Sequence, residues 1–309
     1  MFKPQVFGKY LLVDKISHGG MGEVYKAKSF GVQGFEKLFA IKRILPKLGK
    51  SPAFIDMLAD EAKIIVSLSH SNIAQVFEFN EVDTTYYLAM EFIHGKDLRT
   101  IIEKTEKLPI EIAAYLIAEL SKGLYYLHNV SNEKGQKLNI IHRDISPRNV
   151  IVSFEGEVKI IDFGIANASN RAFTIGNDIF VGKYSYMSPE QLLRKELTHK
   201  SDIFSSGIVL YELLFGKLPP GKLKDRHLVE LDKENIDVDP ALEKKLLATL
   251  PLELRGILEK ATAVDPKARY ENALVFYNDL INFIGHYQKR IDSFTLSHYI
   301  KTLFTAEIY

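Results

Sequence analysis

A glycine-rich turn, a lysine on an apolar strand and a distant glutamate are the first residues able to do chemistry. Ser17-His18-Gly19-Gly20-Met21-Gly22-Glu23-Val24 joins two runs of strand character. Glycines without a Cβ let backbone N–H groups approach a phosphate. They also make plain hairpin turns between strands, and on these residues alone both readings stand. Ala40-Ile41-Lys42 then places an ammonium in apolar surroundings, and Glu61 is the opposite charge able to hold it. An ordinary surface ion pair, worth little, would read the same way.

The elements that must position these groups fall into two parts. Short β-rich runs at Tyr10–Ile16, Glu23–Ala27, Leu38–Ile44, Ile73–Phe79 and Tyr86–Phe92 are interrupted by one amphipathic helix. That helix is predicted from about Pro52 to Leu68 by Phe54, Ile55, Leu58, Ala62, Ile65 and Leu68. After Ile93-His94-Gly95 the pattern turns helical. Pro109 suits a first helical turn, Ile112, Leu116, Leu120, Leu124 and Leu127 form one stripe, and Ile203–Leu214 is apolar nearly all round, as a buried helix would be. The crossing at Met90–Gly95 is the expected place for a ligand cleft.

Composition narrows the function classes. With 40 Lys+Arg against 39 Asp+Glu the formal charge is +1, so no overall basic field recruits nucleic acid or an anionic membrane. The absence of cysteine removes disulfides, thiolate metal sites and cysteine nucleophiles. No run is apolar and long enough to predict a membrane span, no signal-peptide pattern opens the chain, and a cytoplasmic setting is expected.

His142-Arg143-Asp144-Ile145-Ser146-Pro147-Arg148-Asn149, Ile161-Asp162-Phe163-Gly164 and Met187-Ser188-Pro189-Glu190 follow in order. With the glycine run and Lys42 they resemble the signature set of eukaryotic-type protein kinases, as found in bacterial Hanks-like serine/threonine kinases. The resemblance covers about Phe7 to Phe283. It implies an α+β, bilobal protein-kinase-like fold: a small β-rich N-lobe over residues 1–92, a larger helical C-lobe over 93–290, and a C-terminal helical extension over 291–309.

It also implies the chemistry. ATP with Mg2+ (or Mn2+) is the expected cofactor and a protein hydroxyl, serine or threonine, the acceptor. Lys42 held by Glu61 resembles the lysine on the α/β-phosphates, Asn149 and Asp162 the metal ligands, and Asp144 the residue that accepts the substrate proton. Ser17, Gly19, Gly20 and Gly22 would cover the phosphates. Val24, Ala40 and Ile151 would enclose adenine, with Met90 guarding the inner pocket and backbone from Glu91 to Ile93 bonding the base. Glu190 resembles the glutamate that pairs with a distant arginine, here Arg269, and Asp202 the aspartate that anchors the catalytic-loop backbone.

Three positions depart from the family pattern. Ser17 stands for the first loop glycine, Ser146 for the usual lysine two residues after the catalytic aspartate, and Lys183 for the threonine that normally bonds to that lysine. An exchange of hydroxyl and ammonium between Ser146 and Lys183 would restore the same cluster; a solvent-facing Lys183 is the plainer alternative, and Arg148 is a second candidate cation. These departures feed a rival reading, a pseudokinase scaffold without efficient turnover. Arg143 implies control by activation-segment phosphorylation, with Thr174 the preferred acceptor. Finally Phe294, Leu296, Tyr299, Ile300, Leu303 and Phe304 predict an apolar helical face near the end, packed on the domain or open to a partner or a second copy.

Overall fold

The computed structural model describes residues 2–162, 184–219, 240–287 and 291–308. The chain divides into two compact units, one ending at His94 and one beginning at Gly95.

The first unit is built on a sheet of six strands, β1 (Gln5–Phe7), β2 (Tyr10–His18), β3 (Gly22–Phe30), β4 (Glu36–Ile44), β5 (Val76–Val82) and β6 (Thr85–Glu91), in the order β1-β2-β3-β4-β6-β5 with antiparallel neighbours. The unit's longest helix, preceded by the single turn Pro46–Gly49, is Pro52–Val66. Ser51 caps it by accepting from Phe54 N–H, proline fills the first turn, and Phe54, Leu58, Ala62 and Ile65 are its buried stripe. One sheet face carries a hydrophobic cluster of Tyr10, Leu12, Tyr25, Ala27, Ile41, Tyr87 and Ala89, closed over by Phe7 from β1.

The second unit is mainly helical. Helix Ile110–Asn129 has Pro109 at its N-cap, one residue outside the predicted first turn, and buries the predicted stripe. Helix His199–Phe215 is buried from Ser201 to Leu214, as its all-round apolarity requires. A small sheet accompanies the helices: β7 (Gly95–Asp97), β8 (Val150–Ser153) and β9 (Val158–Ile160), in the order β7-β8-β9. Sequence patterning did not foresee these strands, because runs of three or four residues, β8 and β9 almost wholly buried, leave no alternation to read.

Two expectations shift. The strand predicted from Ile73 begins at Val76, although Ile73 and Ala74 are buried as strand residues would be. The C-terminal helix is Ser293–Leu303, with Leu296, Ile300 and Phe304 buried in the second unit while Phe294 stands 81% exposed. Its apolar stripe is therefore largely covered by its own domain.

Candidate functional site

In the first unit, strand register does the positioning. Lys42 on β4 lies opposite Val24 on β3 and Leu88 on β6, and Ala40 lies opposite Met90. Directly opposed residues share a sheet face, and so do residues two apart. Val24, Ala40, Lys42 and Met90 therefore occupy one face, the reverse of the face that bears the Tyr25–Ile41–Ala89 cluster. Lys42 is only 7% exposed, an unusual place for an ammonium. Glu61 sits half-buried in the middle of helix Pro52–Val66.

The glycine run resolves into two roles. Ser17 and His18 end β2, opposite Val24 and Glu23, and the turn Gly19–Met21 closes with Gly19 N–H donating to Gly22 O at 2.8 Å. A Cβ on Gly19 would make only an ordinary contact with Gly22 O at 3.9 Å, whereas a Cβ on Gly22 would lie 2.3 Å from Arg43 O. Gly22 is thus glycine because β4 passes close behind it. The nearby charges hold the strands together: Lys15 donates to Glu23 at 2.6 Å and Tyr25 OH donates to the other oxygen at 2.7 Å. Those hydrogen bonds lower the Glu23 carboxyl below its ordinary range.

At the end of β6 the Glu91 N–H donates to Gln75 O at 2.8 Å, and the Glu91 carboxylate accepts from Gln75 N–H at 3.1 Å. The Glu91 N–H is therefore engaged within the sheet.

In the second unit the catalytic-loop residues are tied to a buried carboxylate. Asp202, in the first turn of helix His199–Phe215, accepts from His142 N–H, Arg143 N–H and His128 Nε2, each at 2.8 Å. Burial alone would raise this carboxyl, but the bonds from His128 and Arg143 win and lower it. The resemblance predicted the anchor on the loop; the His128 partner was not foreseen. His142 is a second tie: its Nδ1 accepts from Asp144 N–H at 3.2 Å, which leaves Nε2 as the protonated nitrogen, donating to Ile161 O at 3.1 Å.

Asn149 faces Asp144. Its amide Nδ2 donates to Asp144 O at 2.7 Å and to Asp144 Oδ2 at 2.9 Å, which fixes the orientation of the amide and leaves Oδ1 as the lone-pair donor. The main chain joins the set: Asn149 N–H donates to Ser146 O and Ile161 N–H to Asn149 O. Ser146 is buried, Arg148 is exposed, and Ile151 is half-buried on β8.

Arg143 and Asp162 both have positive φ, at 67° and 58°. Left-handed backbone at a non-glycine residue costs about 1–3 kcal/mol and persists where surroundings over-determine it. Asp202 and Gln191 supply that constraint at Arg143: Gln191 Nε2 donates to Arg143 O at 2.9 Å. Gln191 was another residue missed, although Ser188-x-x-Gln191 carries a capping-box signature that the structure forms.

Glu190 and Arg269 meet as the resemblance predicted. Two parallel bonds of 2.7 and 2.8 Å join them, and Ser201 Oγ–H donates to Glu190 at 2.7 Å. Burial would raise the Glu190 carboxyl, but Arg269 and Ser201 outweigh it and hold it at about 2. Thr174 and Lys183 lie outside the described residues, as do Phe163 and Gly164.

An amide carbonyl at Asn149 and a carboxylate at Asp162 are oxygen ligands of the kind Mg2+ accepts, and among the described residues no group of three or more His, Asp or Glu forms an all-protein cage. Mg2+ is usually shared between one or two such oxygens and substrate phosphates.

Residues 10–279 match the family model described as Protein kinase domain, and the chain belongs to the protein kinase family. A protein of Myxococcus xanthus named tyrosine-protein kinase MasK is 36% identical over 98% of this chain and 47% of its own length. The serine/threonine-protein kinase PrkC of Bacillus subtilis is 30% identical over 87% of this chain and 39% of its own length. The chain thus spans less than half of either relative. In fold it is similar to the crystal structure of the Mycobacterium tuberculosis PknI kinase domain, with a TM-score of 0.62 and 21% identity over 90% of this chain and 97% of that one.

Proposed function

We propose that this chain is an ATP-dependent protein kinase that transfers the γ-phosphoryl group of ATP to a serine or threonine hydroxyl of a protein. The observation that carries the reading is the Asp144–Asn149 pair, in which one side chain holds the other while keeping an oxygen for a cation. In this reading Lys42, with Glu61 as its counter-charge, binds the α/β-phosphates, and the turn from Ser17 to Gly20 covers them. Val24, Ala40 and Met90 receive the base. Asn149 Oδ1 and Asp162 hold Mg2+ or Mn2+, which supplies charge to neutralise phosphate oxygens.

Asp144 orients the acceptor hydroxyl and takes its proton as the new O–P bond forms and the bond to the β-phosphate oxygen breaks, releasing ADP. Its carboxylate is steadied by the Asn149 amide, so little reorganisation is needed when the proton arrives. A phosphate added to the activation segment, Thr174 first among its acceptors, would be read by Arg143, and autophosphorylation there is part of the proposal.

The glycine-loop likeness and the relative PrkC support a serine or threonine acceptor. Arg148, four residues after Asp144, together with the relative named MasK, favours tyrosine as a second reading. Transfer of radiolabelled phosphate to casein, followed by phosphoamino-acid analysis, decides between them. Asp144→Asn should lower the rate by about 10²–10⁴-fold, the range of a lost general base. Equal incorporation by the native chain and Asp144→Asn would end the proposal.

A further inference from the structure

The hairpin of β8 and β9 is the stem of the proposed metal site. Asn149 immediately precedes β8, Asp162 stands two residues beyond β9, and Ile161 N–H donates to Asn149 O at 2.9 Å where the strands part. Strands of four and three residues provide few ladder bonds, and so small a sheet is marginal without support. Asp162 adds the strain of its positive φ. Something must hold the stem.

Residues beyond the family-matched stretch 10–279 do so. The Ser297 hydroxyl, on helix Ser293–Leu303, donates to Phe154 O in the hairpin turn at 2.6 Å. Gly156, in the same turn, has φ +88°, and a Cβ there would lie 1.9 Å from Ser293 O, so the first turn of the helix rests directly on hairpin backbone. Ile300, one turn further along the same helix than Ser297, is fully buried. The end of the chain grips the neighbouring strand as well: Lys96 on β7, opposite Val152 of β8, forms an ion pair with Glu307 and lies 5.4 Å over the Phe304 ring.

We propose that the C-terminal segment 291–308 is a positioning clamp that holds the β8–β9 hairpin and thereby sets Asn149 Oδ1 and Asp162 for the cation. This rests on the metal roles proposed above. Ser297 and Ile300 touch neither nucleotide nor metal in this scheme; Ser297 acts through the hairpin, and Ile300 by seating the helix that carries Ser297. Residues that orient ligands from behind typically change metal affinity 10–100-fold when lost, so the clamp should show in cation binding before it shows anywhere else.

The test is titration calorimetry of ADP on the full chain, with Mg2+ and in EDTA, alongside hydrogen exchange of the hairpin amides. Ser297→Ala should weaken the Mg2+-dependent part of ADP affinity about threefold and Ile300→Asp, which expels the helix, about tenfold or more, with affinity in EDTA unchanged. Ser297→Thr, which keeps the hydroxyl, should restore it. Phe294→Asp, on the exposed side of the same helix, should behave as native. Exchange at Val150–Ile161 should rise in the two weakened variants while that of β2–β4 stays native.

A folded Ile300→Asp chain with native Mg2+ dependence and native exchange overturns the clamp. So does an equal loss with and without Mg2+, which would be general support of the fold. If Ile300→Asp does not fold, the Ser297→Ala and Ser297→Thr pair decides by the same readings. If the native chain shows no Mg2+ dependence of ADP binding, the functional reading fails; unchanged exchange in the weakened variants would then overturn the clamp independently.

Discussion

Replacing Glu190 by glutamine tests whether the pair with Arg269 supports the second unit to the extent its geometry implies. The Arg269 guanidinium has five N–H groups, and each has a partner: Nε donates to Ala263 O, Nη1 to Glu190 Oε1 and Lys200 O, Nη2 to Glu190 Oε2 and Val264 O. In Glu190→Gln an amide N–H must oppose a guanidinium N–H, and a buried cation loses its counter-charge. Breaking such a pair costs about 3–5 kcal/mol.

The acid limb gives a second estimate. The unfolded carboxyl titrates near its ordinary 4.5 and the folded one at about 2. Between those values the unfolded chain binds more protons, so this contribution is complete above pH 4.5 and is lost as pH falls toward 2. At about 1.4 kcal/mol per pH unit, it amounts to about 3 kcal/mol. The two routes agree, and either figure is a large share of the ~5–15 kcal/mol that stabilises a typical domain. Urea unfolding of the native chain and Glu190→Gln at pH 7, 4 and 3 is the assay. The variant should be weaker by about 3 kcal/mol at pH 7 and its acid limb shallower; Asp202 and Glu78, whose carboxyls are also lowered, keep some slope. A variant within 1 kcal/mol of native at pH 7, or one whose acid limb is as steep, would refute the reasoning.

Two further perturbations probe other joints. Asp202→Asn leaves a single acceptor oxygen for three donors, so Arg143 N–H or its neighbours lose a charge-assisted bond worth about 1.5–3 kcal/mol; kcat should fall about 10–100-fold with KM for ATP little changed, and an unaltered kcat would show that the loop does not need this tie. Gly22→Ala would push a methyl to 2.3 Å from Arg43 O; thermal unfolding should shift down by several degrees, and an unchanged midpoint would contradict the close approach of β3 and β4.

The helix Pro52–Val66, the strand runs around Lys42, the buried helix near Ile203–Leu214 and the order of the motifs were legible in the chain by itself, because each rests on local spacing: a repeat of three or four residues, a turn between strands, a short string of polar types. Family resemblance foretold the Glu190–Arg269 pair and pointed to Asp144, Asn149 and Asp162. The joints between those strings were not legible. Register, set by how β3, β4 and β6 align, is what gathers Val24, Ala40, Lys42 and Met90 on one face; a slip of one residue would scatter them. That Arg43 backbone lies directly behind Gly22 follows from the same strand pairing and has no mark in the glycine run itself. His128 reaching Asp202 across 74 positions and Ser297 reaching Phe154 across 143 have no local signature. A hydrogen bond of that kind depends on where two distant backbones come to rest, and only packing of the whole unit decides that.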